Sequence, residues 1–164
     1  MKRWKVKVYR RLGVLKNLPN PTRRFQFLRI FLFMLTVPWL LRLRLPRLEA
    51  LLNSEQKKQL GDDWDVSEVE SIICNTNRAL RIGWPFVHSF CLSRGITLYY
   101  FLRKAGMNVG LDFGVSELGD EPLAGHCWLV WAGEPLAEPV DPRQIYVTTF
   151  RFPEGQRSNS AANA

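Results

Sequence analysis

The hydrophobic period of the sequence changes at Gly106, and this change constrains the fold more than any other feature. Before Gly106, apolar residues recur at helical spacing, whereas from 109 to 115 they alternate with small or polar residues. In the run 124–131, a strand would place His126, Trp128 and Val130 on one face and Cys127, Leu129 and Trp131 on the other. Alternation of this kind predicts two strands, and further strands are predicted to begin near Leu136 and to cover 145–152. Helices followed by an antiparallel sheet predict an α+β fold.

Two helices are predicted immediately before the sheet. Asp65 with Glu68, and Ser67 with Glu70, form overlapping capping boxes at the start of the first helix. This helix should carry one apolar face and end at 83–85, the face consisting of Val69, Ile72, Ile73, Thr76 and Leu80. The second helix is predicted over 89–106, with Ala105-Gly106 as its stop.

Cys91 falls in the first turn of that second helix. The positive end of the helix dipole and the unpaired amides there favour a thiolate over a thiol, so Cys91 is a candidate nucleophile. The alternative is a small buried core residue, since free cysteine is among the most buried residue types.

The segment after the helices supplies the partners that a thiol nucleophile needs. His126 lies on the second predicted strand, and two carboxylates follow it at Glu138 and Asp141. Cysteine, histidine and carboxylate in this order predict a nucleophile, a base and a group that orients the base. Because Glu138 and Asp141 are three residues apart, a regular strand would point them to opposite faces, so only one could serve.

The basic charge is confined to the N-terminal part of the chain. Residues 1–48 hold thirteen Lys or Arg and no Asp or Glu, whereas the remaining residues carry ten basic and fifteen acidic groups. Such a segment can meet nucleic acid, anionic lipid or an acidic peptide, but no nucleic-acid module accompanies it, so no nucleic-acid partner is expected. Three cysteines without regular spacing predict neither a disulfide framework nor a metal site, which favours the cytoplasm, and no secretory signal is expected.

No stretch without a charged residue exceeds twelve residues, and the most apolar stretch of that length runs from 30 to 41. A spanning helix needs about twenty, so no transmembrane segment is predicted. We favour a hydrophobic helix packed on the core and kinked at Pro38, with contact between residues 22–47 and a membrane surface as the alternative. The predicted organisation is therefore a basic helical segment over 1–63, a catalytic domain over 64–153 and a disordered tail over 154–164.

Several short runs in the sequence carry a family resemblance. They are Cys91-Leu92-Ser93-Arg94 on a helix, Gly114-Val115 at a strand end, Gly125-His126-Cys127-Trp128 and Gly133-Glu134-Pro135. From about Val66 to Phe152 the chain resembles the transglutaminase-like leader peptidases, or B proteins, of bacterial lasso peptide biosynthesis. The resemblance implies a papain-like cysteine peptidase fold with a Cys-His-Asp triad.

Carried over residue by residue, the resemblance implies Cys91 as nucleophile and His126 as base. Many relatives have an Asp where this chain has Glu138, but their Asp-Pro pair is matched by Asp141-Pro142, so Asp141 is the preferred acid and Glu138 the second choice. Cys127 stands where relatives have a small residue, and we expect no reaction at it because it lies on the opposite strand face from His126.

The resemblance also implies partners. In such pathways a separate protein holds the leader of the precursor peptide, the peptidase removes the leader, and a cyclase closes the ring with ATP. The resemblance leaves open contact with the cyclase and ATP dependence of the peptidase itself, although the sequence has no glycine-rich phosphate loop and no cofactor is predicted.

Two other functions are compatible with the same residues. A transglutaminase-like acyl transfer would use the same acyl-enzyme, with an amine in place of water. A non-catalytic scaffold would keep the fold and bind a peptide or a membrane through its basic N-terminal part.

Overall fold

A layer of helices packs on an antiparallel sheet in the computed structural model, which describes residues 21–43, 47, 52, 64–83, 90–116 and 124–153. The helices are α1 Pro21–Leu40, α2 Val66–Gly83 and α3 Phe90–Lys104. They are followed by β1 Val109–Ser116, β2 Ala124–Trp131, β3 Glu134–Leu136 and β4 Val147–Phe152, with a 3₁₀ turn at Pro142–Gln144. This order confirms the predicted α+β class.

The helix ends follow local chemistry. Asp65 Oδ1 accepts the Ser67 N–H at 2.8 Å and caps α2, and the five residues of its predicted apolar face are all buried. At the end of α3, Gly106 has a φ of 96°, and the Met107 N–H donates to the Leu102 carbonyl at 3.0 Å. This is a Schellman motif, which turns the chain directly into β1.

The sheet has the strand order β3-β2-β1-β4, and every neighbouring pair is antiparallel. In the register of β1 with β2, Phe113 lies opposite Cys127 and Gly114 opposite His126. β2 and β3 form a hairpin through Ala132 and Gly133, whose φ angles of 50° and 79° are those of a type I′ turn.

α3 lies between the other helices and the sheet, since it contacts α1 and α2 as well as β1 and β2. α1 begins at Pro21 and continues through Pro38 to Leu40, burying Ile30, Met34 and Val37 in the core. Its outer face leaves large apolar side chains exposed, among them Phe25, Leu32 and Trp39. None of the helices in the described ranges has the length and hydropathy needed to cross a membrane.

Three sequence predictions fall on parts of the chain that are not described. Of the basic helical segment predicted over 1–63, residues 1–20, 44–46, 48–51 and 53–63 lie outside the described residues, while Arg47 and Leu52 are helical. The predicted tail over 154–164 lies outside them as well. The domain boundary at residue 63 therefore stays a prediction.

α3 approaches the sheet closely at Gly95. A Cβ atom added there would lie 2.9 Å from Leu111 Cδ1 and 3.1 Å from Cys127 Sγ. Both distances are shorter than ordinary van der Waals contact, so a Cβ at position 95 would force the Leu111 and Cys127 side chains to shift in the core.

Gly95→Ala should therefore destabilise the fold. Overpacking costs about 1–3 kcal/mol, while alanine in a helix interior returns up to about 1 kcal/mol, which leaves an expected net loss of about 1 kcal/mol in urea unfolding. Gly125→Ala is the matched control, because a Cβ there would have no heavy atom within 4 Å. A Gly95→Ala protein more stable than the parent would contradict this close packing.

Candidate functional site

Cys91 is the second residue of α3 and is half-buried. The amides of the first helical turn have no partners within the helix, so the sulfur sits beside backbone donors and the positive end of the helix dipole. The structure thus places Cys91 at the helix start, as the sequence predicts.

β2 brings two side chains to this sulfur. The side chains of His126 and Cys127 both form hydrogen bonds with Cys91, and the Cys127 backbone N–H donates to Cys91 as well. β3 pairs with residues 129–131 of β2 and ends there, so the strand edge at Cys127 is open toward Cys91. The sulfur therefore lies against the backbone edge of β2, where neighbouring residues from both faces of the strand can reach it.

These contacts make Cys91 acidic. The pKa of its thiol is lowered to about 5, first by the hydrogen bond from the Cys127 side chain and then by the hydrogen bond and charge of His126. The Cys127 backbone N–H adds a smaller effect in the same direction, while burial opposes it by raising the pKa. At neutral pH the sulfur is a thiolate, which is the nucleophilic form.

Cys127 has the opposite character. Its side chain is buried, and the pKa of its thiol is raised well above the ordinary range by the hydrogen bond to Cys91 and by desolvation. A thiol that keeps its proton donates to the neighbouring thiolate and does not itself attack. The sequence predicts no reaction at Cys127 but gives no sign of this donor role, because strand alternation alone does not show which helix residue lies beside it.

A carboxylate reaches His126 from the segment after β3. Glu138 Oε2 lies 3.7 Å from His126 Nε2, which is an ion-pair distance and longer than a hydrogen bond. The Glu138 side chain is 9% exposed and that of His126 is 26% exposed. Thiolate, imidazole and carboxylate are thus brought together from α3, β2 and the segment after β3.

Asp141 is held by Arg143. Its Oδ1 accepts the Arg143 backbone N–H at 3.0 Å and caps the 3₁₀ turn, and its Oδ2 lies 2.7 Å from Arg143 Nη2. Both carboxylate oxygens are therefore engaged by Arg143. The geometry favours Glu138 as the partner of His126, the reverse of the preference drawn from the sequence.

Ala137 interrupts the strand geometry before Glu138 and Asp141. Its φ of 59° is left-handed, so the residues after β3 do not alternate between faces as they would in a strand. The argument from strand alternation therefore does not apply to Glu138 and Asp141, and an alanine with positive φ has no sequence signature that would have revealed it.

Arg94 is a further charged residue in the site. Its Nη1 donates to Glu138 Oε1 at 2.6 Å, its Nη2 to the Ala137 carbonyl at 2.5 Å and its Nε to Asn77 Oδ1 at 3.0 Å. Sequence reasoning placed Arg94 in a family-like run but gave it no role. Its spacing of three residues from Cys91 on a helix was the available signal, since such residues lie on one side of a helix.

Aromatic rings flank the imidazole. The His126 ring stacks on Trp128 at a centroid distance of 6.0 Å and lies 5.1 Å from the ring of Tyr146. Trp128 is fully buried over Gly114, where an added Cβ would lie 2.8 Å from the indole. These rings limit the rotation of His126, and Tyr146 is a neighbour that the sequence did not reveal.

The site thus brings together an acidic thiol, an imidazole and a carboxylate. The sequence model of the transglutaminase-like superfamily matches residues 31–151, so the chain belongs to that superfamily. Cysteine peptidase and acyltransferase activities are common in it. No curated protein and no solved structure gives a significant match to the chain. Within the described ranges, no three His, Cys, Asp or Glu side chains are grouped so that they could hold a metal ion.

Cys91 should be alkylated by iodoacetamide with a rate that reaches half its maximum near pH 5, because only the thiolate reacts and its pKa is about 5. Cys127→Ala removes the strongest donor to the thiolate, so the midpoint should move to higher pH. Peptide mapping by mass spectrometry distinguishes the three cysteines, and Cys74→Ala on α2 is the control. An unchanged midpoint in Cys127→Ala would refute the donor role.

Proposed function

We propose that the protein is a cysteine peptidase that removes the leader from a ribosomally made precursor peptide. The single observation that carries the catalytic part is the acidic Cys91 thiol in hydrogen-bond contact with His126. A thiolate beside an imidazole, with a carboxylate on the far side of the ring, is the arrangement that cysteine acyl transfer needs. The leader peptide as substrate rests on the resemblance to lasso peptide leader peptidases.

In the proposed first step, Cys91 Sγ attacks the scissile carbonyl carbon and a C–S bond forms. The backbone N–H of Cys91, at the start of α3, donates to the developing oxyanion. The C–N bond then breaks, and protonated His126 gives its proton to the departing amine. A thioester on Cys91 and a free amine are the products of this step.

In the second step water replaces the amine. His126, now neutral, takes a proton from water as the water attacks the thioester carbonyl, and the C–S bond breaks. The peptide leaves with a new carboxyl group, and Cys91 returns as a thiolate beside protonated His126. Each proton is thus moved by the side chains of this chain.

The third catalytic group in the proposal is Glu138. Its carboxylate lies on the Nε2 side of His126, where it can orient the ring and stabilise the imidazolium. The distance of 3.7 Å does not argue against this role, since catalytic hydrogen bonds are often long in unliganded enzymes and shorten with substrate. Asp141 is the alternative acid.

The expected partners follow from the same resemblance. A separate recognition protein would hold the leader, this chain would cleave it, and a cyclase would act on the released core peptide. The proposed location is the cytoplasm, where the precursor is made. Contact of residues 22–47 with a membrane surface, and contact of the peptidase with the cyclase, stay predictions.

Hydrolysis of p-nitrophenyl acetate tests the catalytic part without knowledge of the natural peptide. The full chain should release a burst of about one equivalent of nitrophenolate as Cys91 is acetylated, followed by slower turnover as the thioester is hydrolysed. Cys91→Ser should lose the burst, whereas Cys74→Ser, on α2, should keep it. His126→Ala should slow turnover by about 10³-fold or more.

A second assay separates hydrolysis from acyl transfer and tests the substrate class. Precursor peptides encoded beside the gene, together with their recognition protein, are incubated with the full chain with and without a primary amine, and the products are weighed. Cleavage after the leader in water alone supports the peptidase. A product that carries the amine indicates acyl transfer, and a chain without burst or cleavage would indicate a scaffold.

Glu138→Gln should reduce turnover of p-nitrophenyl acetate far more than Asp141→Asn does. The amide has no charge to stabilise the imidazolium, whereas Asp141 acts on Arg143 at the protein surface. Turnover should fall by about 10²-fold or more in Glu138→Gln, with circular dichroism as the check on folding. The opposite order of the two variants would transfer the role to Asp141.

A further inference from the structure

Arg94 joins three segments of the site through one guanidinium group. It lies one helical turn after Cys91 on α3, and its side chain is 17% exposed. Its three hydrogen bonds go to Asn77 on α2, to the Ala137 carbonyl and to Glu138. The helix that presents the nucleophile is thereby tied to the segment that presents the carboxylate.

The two oxygens of Glu138 have different partners. Oε1 accepts from Arg94 Nη1 at 2.6 Å, and Oε2 faces His126 Nε2 at 3.7 Å. A charge-assisted hydrogen bond to one oxygen fixes the plane of the carboxylate and therefore the direction of the other oxygen. Without Arg94, the Glu138 side chain could rotate away from the imidazole.

Arg94 also holds the backbone that carries Glu138. Ala137 has left-handed φ, which is unfavourable for a residue with a Cβ. The hydrogen bond that Arg94 Nη2 donates to the Ala137 carbonyl stabilises this conformation. The Asn77 side chain accepts from Arg94 Nε at 3.0 Å and so orients the guanidinium itself.

We propose that Arg94 is a positioning residue that sets the Glu138 carboxylate against His126. The inference rests on the proposed function, because it assigns Arg94 a task within that mechanism. Arg94 does not touch the reacting atoms and acts through Glu138. It should therefore affect the steps that need an oriented imidazole and leave the nucleophile in place.

The acetylation assay separates these effects, because nitrophenolate leaves without a proton from His126 whereas hydrolysis of the thioester needs His126 as base. Arg94→Met should keep the burst and the KM but slow the turnover by about 10-fold to 100-fold, as expected for a misplaced catalytic group. Arg94→Lys keeps the charge with fewer directed donors and should recover part of the loss. Arg78→Met, an exposed arginine on α2, is the matched control.

A double-mutant cycle gives the decisive comparison. If Arg94 acts through Glu138, Arg94→Met should change turnover by less than about twofold in a Glu138→Gln background, because the group that it positions has been removed. Asn77→Ala removes the hydrogen bond from Arg94 Nε and should show a smaller loss of turnover with the burst retained. This variant provides the test if Arg94→Met does not fold.

Three results would overturn the inference while leaving the proposed function intact. The first is unchanged turnover in Arg94→Met. The second is a loss of turnover from Arg94→Met in the Glu138→Gln background that equals its loss in the parent chain. The third is a raised KM with unchanged turnover in Arg94→Met, which would indicate that Arg94 binds substrate. An unmutated chain without a burst would overturn the proposed function and this inference together.

Discussion

The close contact between the first turns of α3 and the open edge of β2 is the interaction on which the site depends. Gly95 lets the helix approach until Cys127 Sγ lies 3.1 Å from the position that a Cβ would take, and this brings Cys91, one turn earlier, against the same strand. His126 precedes Cys127, so the same approach places imidazole and thiol together. A wider separation of helix and sheet would remove the hydrogen bonds of both His126 and Cys127 from the Cys91 sulfur at once.

The acidity of Cys91 is a balance of opposing effects. Burial raises the pKa of a thiol, and donors to the thiolate lower it. Here the donors prevail, since the pKa falls to about 5 in spite of partial burial. The largest contribution to the lowered pKa comes from the neutral thiol of Cys127, so two different residues carry two different tasks. Cys127 stabilises the charge on the sulfur, while in the proposed mechanism His126 transfers the protons.

Sequence reasoning succeeded where structure follows from local pattern. The run 124–131, predicted as a strand, forms β2, and β1 extends one residue beyond the 109–115 predicted from alternation. The α+β class, the buried face of α2 and the position of Cys91 at a helix start also follow from periodicity and capping. The donor role of Cys127 and the contacts of Arg94 depend instead on how elements dock, which the spacing of residues along one element does not determine. The preference for Asp141 rested on the match of Asp141-Pro142 to the family's Asp-Pro pair, whereas the expectation that Glu138 and Asp141 point to opposite faces rested on strand geometry that the left-handed Ala137 removes.

The length of the glutamate side chain accounts for its suitability at position 138. The carboxylate has to reach Arg94 with one oxygen and His126 with the other, from a backbone that is itself held by Arg94 through Ala137. An aspartate is shorter by one methylene and would meet only one of these groups without a backbone shift, which the Arg94 bond to Ala137 opposes. A glutamate has more rotatable bonds and would by itself restrict the imidazole less tightly. The arginine compensates for that freedom, so a Glu-Arg pair can supply here the rigidity that a shorter aspartate provides through its own side chain.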